Sequence, residues 1–181
     1  MGRVIPRVKA GLLGLRAVDR LRYRLKPEMG TEEVAGVLEL MDSAGIEAWV
    51  AGGWGVDALV GRRTRKHLDL DLVVADLDIA RAEAALQRDG FESAHREFVE
   101  VAGLPLSLVW AHRDGRKVDL HPVDLDEPAF AGTEAFCEGR VGERTVRVLC
   151  PELLLAYRAG YSHTAADDHD VAQLRKLTKG P

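Results

Sequence analysis

Long apolar runs, a cysteine framework and internal repeats are all missing from this sequence. No stretch approaches the roughly 18–20 apolar residues that cross a bilayer, so no helical membrane span is expected. The basic N-terminus lacks a continuous apolar core followed by small residues, so no signal peptide is expected. Cysteine occurs only at Cys137 and Cys150. Their spacing suits neither a metal site nor a disulfide framework, which points to a reducing cytoplasm. Low-complexity segments are lacking too. What remains is an ordinary globular composition: 181 residues, 46% hydrophobic, net charge −4. That length suits one domain better than two.

The charge is unevenly spread. Arg3, Arg7, Lys9, Arg16, Arg20, Arg22, Arg24 and Lys26 face one acid, Asp19, within residues 3–26. Val8, Leu12, Leu15, Val18, Leu21 and Leu25 recur every three or four positions, the stripe of an amphipathic helix. Residues 1–30 are therefore expected to form a basic helical arm, and residues 31–181 the main domain. Such an arm suits RNA, an anionic membrane surface, an acidic partner or a dimer contact. The solvated face of a helix is the plain alternative.

Within the main domain, helices are expected at 31–44 with Thr31 as N-cap, at 54–60, at 77–90, at 151–160 from Pro151, and from about 167 to 177. Strands are expected at 46–51, 68–74, 91–99, 106–112, 116–123 and 144–149. Asp114-Gly115 supplies a hairpin turn. The order predicts an α/β (α+β) domain, a mixed sheet flanked by helices, with helical segments at both ends.

The stretch "HLDLDLVV" carries the chemistry. Alternation puts Asp69 and Asp71 on one face and Leu68, Leu70 and Leu72 on the other. Two such carboxylates disfavour each other's ionisation unless a positive charge lies between them. Mg²⁺ fills that role with one or two carboxylates plus substrate phosphates. Asp119 in "KVDLHPV" offers a third acid on another strand. Three acids on neighbouring strands can hold two metals for displacement at phosphorus, and Asp119 can also take a proton from an attacking hydroxyl. Solvent-facing aspartates on an amphipathic strand are the bland alternative. Upstream, Gly52 and Gly53 join a strand to a helix. Such a turn lets backbone approach a ligand, and a helix N-terminus offers N–H groups to phosphate.

"GGWGVDALVGRRTRKHLDLDL" resembles the signature of small antibiotic nucleotidyltransferases, of the aminoglycoside 2″ and lincosamide types, within the DNA polymerase β-like nucleotidyltransferase superfamily. The matching positions are Gly52, Gly53, Trp54, Asp57, Gly61, Arg65, His67, Asp69 and Asp71. "VDLHPV" and "AGYSHTAADDHDVAQL" extend the likeness to roughly residues 31–178. The resemblance implies transfer of a nucleoside monophosphate from an NTP, with ATP the expected donor, to a hydroxyl of a small molecule such as a lincosamide or aminoglycoside. Pyrophosphate leaves. Asp69 and Asp71 would bind Mg²⁺, with Asp119 as metal ligand, base or both. Gly52, Gly53, Trp54, Arg65 and His67 would serve the nucleotide. Asp168, Tyr161 and His121 would face the acceptor, with Tyr157 in the same wall.

The residues leave alternatives open. Trp54 at a helix start suits a core as well as a base, and His67 and His121 suit structural roles. Asp57 suits a partner for a basic residue. Asp168 and Asp170 complement a helix dipole. Glu100, Asp124, Asp126 and Glu127 would attract a cationic acceptor. A toxin of the same superfamily acting on tRNA or protein, and a non-catalytic binding protein of the same fold, are the competing functions.

Overall fold

The computed structural model describes residues 27–97, 107–130, 133–159 and 163–178. The predicted basic helix, Glu100 and Tyr161 lie outside these residues. Helix α1 (Thr31–Ser43) forms because Val34, Val37, Leu38 and Met41 make one buried stripe. Its N-cap is Gly30 rather than Thr31, which is already helical. Glu32 and Glu33 place negative charge in its first turn.

Strand β1 (Ala48–Val50) leads directly into helix α2 (Gly52–Val60), which ends on left-handed Gly61. The expected start at Trp54 is thus two residues late. Strand β2 (Leu70–Ala75) follows, then a short 3₁₀ turn and helix α3 (Ile79–Arg88). Strands β3 (Phe91–Glu97), β4 (Ser107–His112) and β5 (Lys117–Val123) come next. A hairpin of β6 (Phe136–Val141) and β7 (Arg144–Leu149) precedes α4 (Pro151–Arg158) and α5 (Ala165–Thr178).

The strands form a seven-stranded mixed sheet of order β3-β4-β5-β2-β1-β7-β6. β2 pairs antiparallel with β1 and parallel with β5, and β1 pairs parallel with β7. Leu70, Leu72, Val74, Val118 and Leu120 join residues of α1 and α3 in one core. Val73, Val123 and Trp49 join Leu154, Tyr157 and Leu174 of the last two helices in a second. Helix α2 contributes to both, Trp54 and Ala58 to the first and Val56 to the second.

Two expectations need correction. The edge strand β6 has no counterpart in the predicted elements. Gly139 interrupts its side-chain pattern, and a Cβ there would meet the Ala58 backbone at 2.8 Å, so the glycine is what lets α2 lie on the sheet. The cysteines are also joined: Cys137 and Cys150 form a disulfide with Cα atoms 5.1 Å apart. The β6–β7 register sets Cys137 opposite Val148, which brings the residue after β7 within reach of it. Sparse cysteine is therefore no argument here for a reducing compartment. No helix among the described residues is long and apolar enough to cross a membrane.

Candidate active site

β2 and β5 are adjacent and parallel, and their register sets Asp71 directly opposite Asp119. Neighbouring strands lie about 4.8 Å apart, so two carboxylates share one patch of the sheet. Leu70 and Leu72 beside Asp71, and Val118 and Leu120 beside Asp119, lie in the first core, which fixes the face these two acids must take. The ladder begins at Leu70, so Asp69 sits one residue before it, at the open end of the strand. Burial and the like charge of Asp71 push Asp69 up to about 6, against relief from Lys117, Arg65 and His67. Asp69 keeps accessible surface at this end, yet protein crowds its carboxyl enough to disfavour the charge.

Asp119 is raised further, to about 7, by burial and then by Asp71 and Asp69. Its Oδ1 is buried and has no hydrogen-bond partner. Asp71 moves the other way. Burial pushes it up, but a hydrogen bond and charge from His121, then Arg158 and Arg65, hold it below the usual carboxylate range. His121 Nε2 lies 3.1 Å from Asp71 Oδ1. Burial opposes protonation of His121, and the Asp71 contact and the nearby charges raise its pKa over that opposition. The three acids therefore divide into one held ionised and two that hold protons weakly near neutrality.

These residues fit a divalent cation. The orphaned Asp119 oxygen and the raised pKa values mark carboxylates short of positive charge. Among the described residues no three His, Cys, Asp or Glu side chains are gathered as a ready-made cage. A cation that takes only one or two carboxylates and completes its shell with phosphate and water needs no such cage.

The glycine turn sits against these groups. Gly52 has φ +55°, and a Cβ there would lie 1.7 Å from Asp71 Oδ2. A Cβ on Gly53 would lie 2.2 Å from Arg65 Nη2 and 2.6 Å from His67 Nδ1. So the absent side chains make room for the protein's own charged groups. The Ala51 N–H donates to Asp71 O at 2.9 Å, tying the turn to the acid strand.

The loop between α2 and β2 is pinned from two sides. His67 Nε2 and Asp57 Oδ2 are 2.5 Å apart, and both residues are buried. Thr64 Oγ1 donates to Asp57 Oδ1 at 2.5 Å, and His169 Nε2 lies 3.0 Å from Thr64 Oγ1. Burial alone would raise Asp57, but the His67 and Thr64 bonds hold it below its ordinary value. Arg65 donates Nε and Nη2 to the two oxygens of Asp170 at 2.8 and 2.7 Å. Arg158 Nη2 donates to the same carboxylate at 2.9 Å.

The expected site residues thus divide. Asp69, Asp71, Asp119, Gly52, Gly53, Arg65 and His121 gather at one end of the parallel strands. Trp54 does not line that surface: it is 3% exposed, and its indole N–H donates to Met29 O at 3.1 Å. His67 turns to Asp57 rather than following strand alternation, and its ring centre lies 4.8 Å from that of Trp54. Asp168 is exposed and lies 3.3 Å from His163. Tyr157 is buried in the second core, its hydroxyl without a partner, and burial with Glu127 raises its pKa. Sequence reasoning missed Arg158, and for Asp170 it left open a helix-dipole charge or an acceptor contact, whereas the residue is wholly buried against two arginines.

A family model described as aminoglycoside-2″-adenylyltransferase matches residues 33–174. The chain belongs to that family. By family it is a nucleotidyltransferase. A lincosamide resistance protein of Staphylococcus haemolyticus is 26% identical over 159 residues, covering 81% of this chain and 95% of that protein. A 2″-aminoglycoside nucleotidyltransferase of Escherichia coli is 47% identical, over only 36 residues and 20% of each chain. The lincomycin-bound structure of the lincosamide antibiotic adenylyltransferase LnuA aligns with TM-score 0.69 and 21% identity, over 83% of this chain and 99% of that one. ANT(2″)-Ia in complex with adenylyl-2″-tobramycin aligns with TM-score 0.66 and 22% identity, over 82% and 88%. These likenesses establish a shared fold.

Proposed function

We propose that the protein transfers a nucleoside monophosphate from an NTP, ATP by preference, to a hydroxyl of a small antibiotic, releasing pyrophosphate. The observation that carries this is the register pairing of Asp71 with Asp119 beside Asp69, with an unpartnered buried oxygen on Asp119. Mg²⁺, held by Asp69 and Asp71 with Asp119 beside it, would neutralise charge developing on the transferred phosphoryl group.

The chain's own residues do the rest. His121 keeps Asp71 ionised and oriented. Asp119, raised to about 7, is matched to accept the acceptor's hydroxyl proton near neutral pH. The first N–H groups of α2 face the triphosphate, beside the Arg65 charge. Asp124, Asp126 and Glu127 lie exposed just after β5 and favour an acceptor carrying an amine, a property of lincosamides and aminoglycosides alike. Because NTPs are cytoplasmic metabolites, the cytoplasm is the proposed compartment.

The test is incubation with Mg²⁺, each NTP in turn and a panel of lincosamides, aminoglycosides and tRNA. Mass spectrometry should find one small-molecule acceptor heavier by a nucleoside monophosphate. Asp69→Asn and Asp71→Asn should each abolish the gain with the circular dichroism spectrum intact. Modification of tRNA alone would overturn the acceptor class, and full activity in both variants would overturn the metal assignment.

A further inference from the structure

Asp170 has no part in the transfer chemistry as described so far, and the cluster it forms with Arg65 and Arg158 is unusual. Asp170 is wholly buried and Arg158 is 4% exposed. Two guanidinium groups share one carboxylate, so the three groups sum to a positive charge, with Asp170 and Arg158 buried and the Arg65 side chain 22% exposed. Such a cluster is poorly explained by stability, since buried ion pairs commonly do no better than apolar packing of the same volume. Its position explains it better. Arg65 lies over Gly53, in the first turn of α2, where an added Cβ would meet its Nη2 at 2.2 Å. The surplus charge acts on Asp71 through both arginines and on Asp69 through Arg65.

The charge balance of the reaction asks for such a group. Three carboxylates and a triphosphate bring more negative charge than two divalent ions remove. A fixed cation beside the phosphate turn reduces the remainder without reorganising when the nucleotide arrives. A flexible arginine would have to be ordered on each binding event. The bidentate fork from Asp170 orders it beforehand.

We propose that Asp170 is a positioning residue for nucleotide binding: from α5 it fixes the Arg65 guanidinium against the Gly52–Gly53 turn, with Arg158 completing the buried cluster. The C-terminal helix is then a part of the nucleotide site, although it lies 105 residues from Arg65 in sequence. The proposal rests on the nucleotidyl-transfer reading above.

Four variants test it: Asp170→Asn, Arg65→Lys, Arg65→Ala and the double variant Arg65→Ala/Asp170→Asn, the last compared with Arg65→Ala. Binding of a fluorescent ATP analogue with Mg²⁺ and the KM for each substrate are measured. Asp170→Asn should weaken nucleotide binding and raise KM for NTP about tenfold, with KM for the acceptor unchanged. Arg65→Lys keeps the charge but loses the fork, so it should do the same. The double variant should bind nucleotide within about twofold of Arg65→Ala, because the two residues act through one contact. Additive effects, or a loss of kcat with KM for NTP unmoved, would mean a merely structural Asp170 and would overturn the proposal. Should Asp170→Asn fail to fold, wild-type nucleotide affinity in Arg65→Lys would overturn it as well. A wild-type protein that binds no Mg²⁺–nucleotide would refute nucleotidyl transfer itself, whereas tight binding in wild type and variants alike would refute only the positioning role.

Discussion

Replacing Asp119 with asparagine should abolish transfer and yet stabilise the metal-free protein. The reasoning starts from the pKa. Asp119 is raised from 3.8 to about 7 by burial and by the charges of Asp71 and Asp69. A carboxyl with a raised folded-state pKa keeps its proton where the unfolded chain has released it. Its contribution is therefore fully present below about pH 4 and lost as pH rises through about 7. A shift of about three units corresponds to a ceiling of roughly 4 kcal/mol of native-state penalty at pH 8. Residual solvent access and relaxation reduce this to about 1–2 kcal/mol. For a chain of this size that is a rise in Tm of about 3–6 °C. Asparagine keeps the shape and cannot ionise, so the variant should gain this amount in EDTA at pH 8. At pH 5 the gap should shrink to about a third, because the unfolded chain has already released the proton that the native state keeps, and it should close only below about pH 4. Added Mg²⁺ should raise Tm more in the wild type than in the variant, since a ligand that binds only the native state stabilises it. Activity should fall by 10²–10⁴-fold, as expected for loss of a general base. Thermal unfolding followed by circular dichroism at both pH values checks the first part. A variant less stable than wild type at pH 8, or a gap of equal size at pH 5, would refute the electrostatic account.

The glycine turn, a glycine of helix α1 and the disulfide give three more expectations. Gly52→Ala combines φ +55° with a Cβ placed 1.7 Å from the Asp71 carboxylate, so it should lower activity at least about a hundredfold and stability by about 1–3 kcal/mol. Gly36→Ala, whose Cβ meets nothing within 4 Å, should remain active and gain up to about 1 kcal/mol, as measured by activity and thermal unfolding. Closing a loop of 13 residues, the Cys137–Cys150 bond should contribute about 3 kcal/mol, so reductant should lower Tm and Cys137→Ser should be insensitive to it. An unchanged Tm on reduction would show that the bond does not contribute to stability.

Much of the fold was legible because its signals are local. The stripe of Val34, Val37, Leu38 and Met41 needs only helical periodicity, and Pro151 and Gly61 mark the ends of their helices without knowledge of the rest. The shared face of Asp71 and Asp119 was legible for a related reason: a carboxylate between apolar residues that point into a core must take the other side of the sheet. What failed depended on distant partners. β6 is a strand because α2 packs on it across Gly139, and its own sequence, "FCEGRV", shows no clean alternation. Trp54 and His67 follow the motif but turn into the protein, because a backbone carbonyl at Met29 and a carboxylate at Asp57 are there to receive them. Met29 lies outside the stretch from Gly52 to Val74, and Asp57, though inside it and expected to partner a basic residue, reaches His67 only because the loop between them folds back.

The same division explains how the site works. Its short motif supplies groups that repel one another: three carboxylates on two strands, two of them raised toward neutrality. Left alone, such a cluster would relax by turning its side chains outward. Asp71 and the loop beside it do not, because they are held by something further off. His121 holds Asp71, and Ala51 ties the turn to the strand carrying it. Asp57 holds His67 and Thr64, which flank Arg65 in sequence, and Asp170 holds Arg65 itself. On the proposed function, the repulsion is thereby kept until a cation and a phosphate relieve it. A chain with the same motif but without the carboxylate at the far end of the fold would carry the ligands without the frame that aims them.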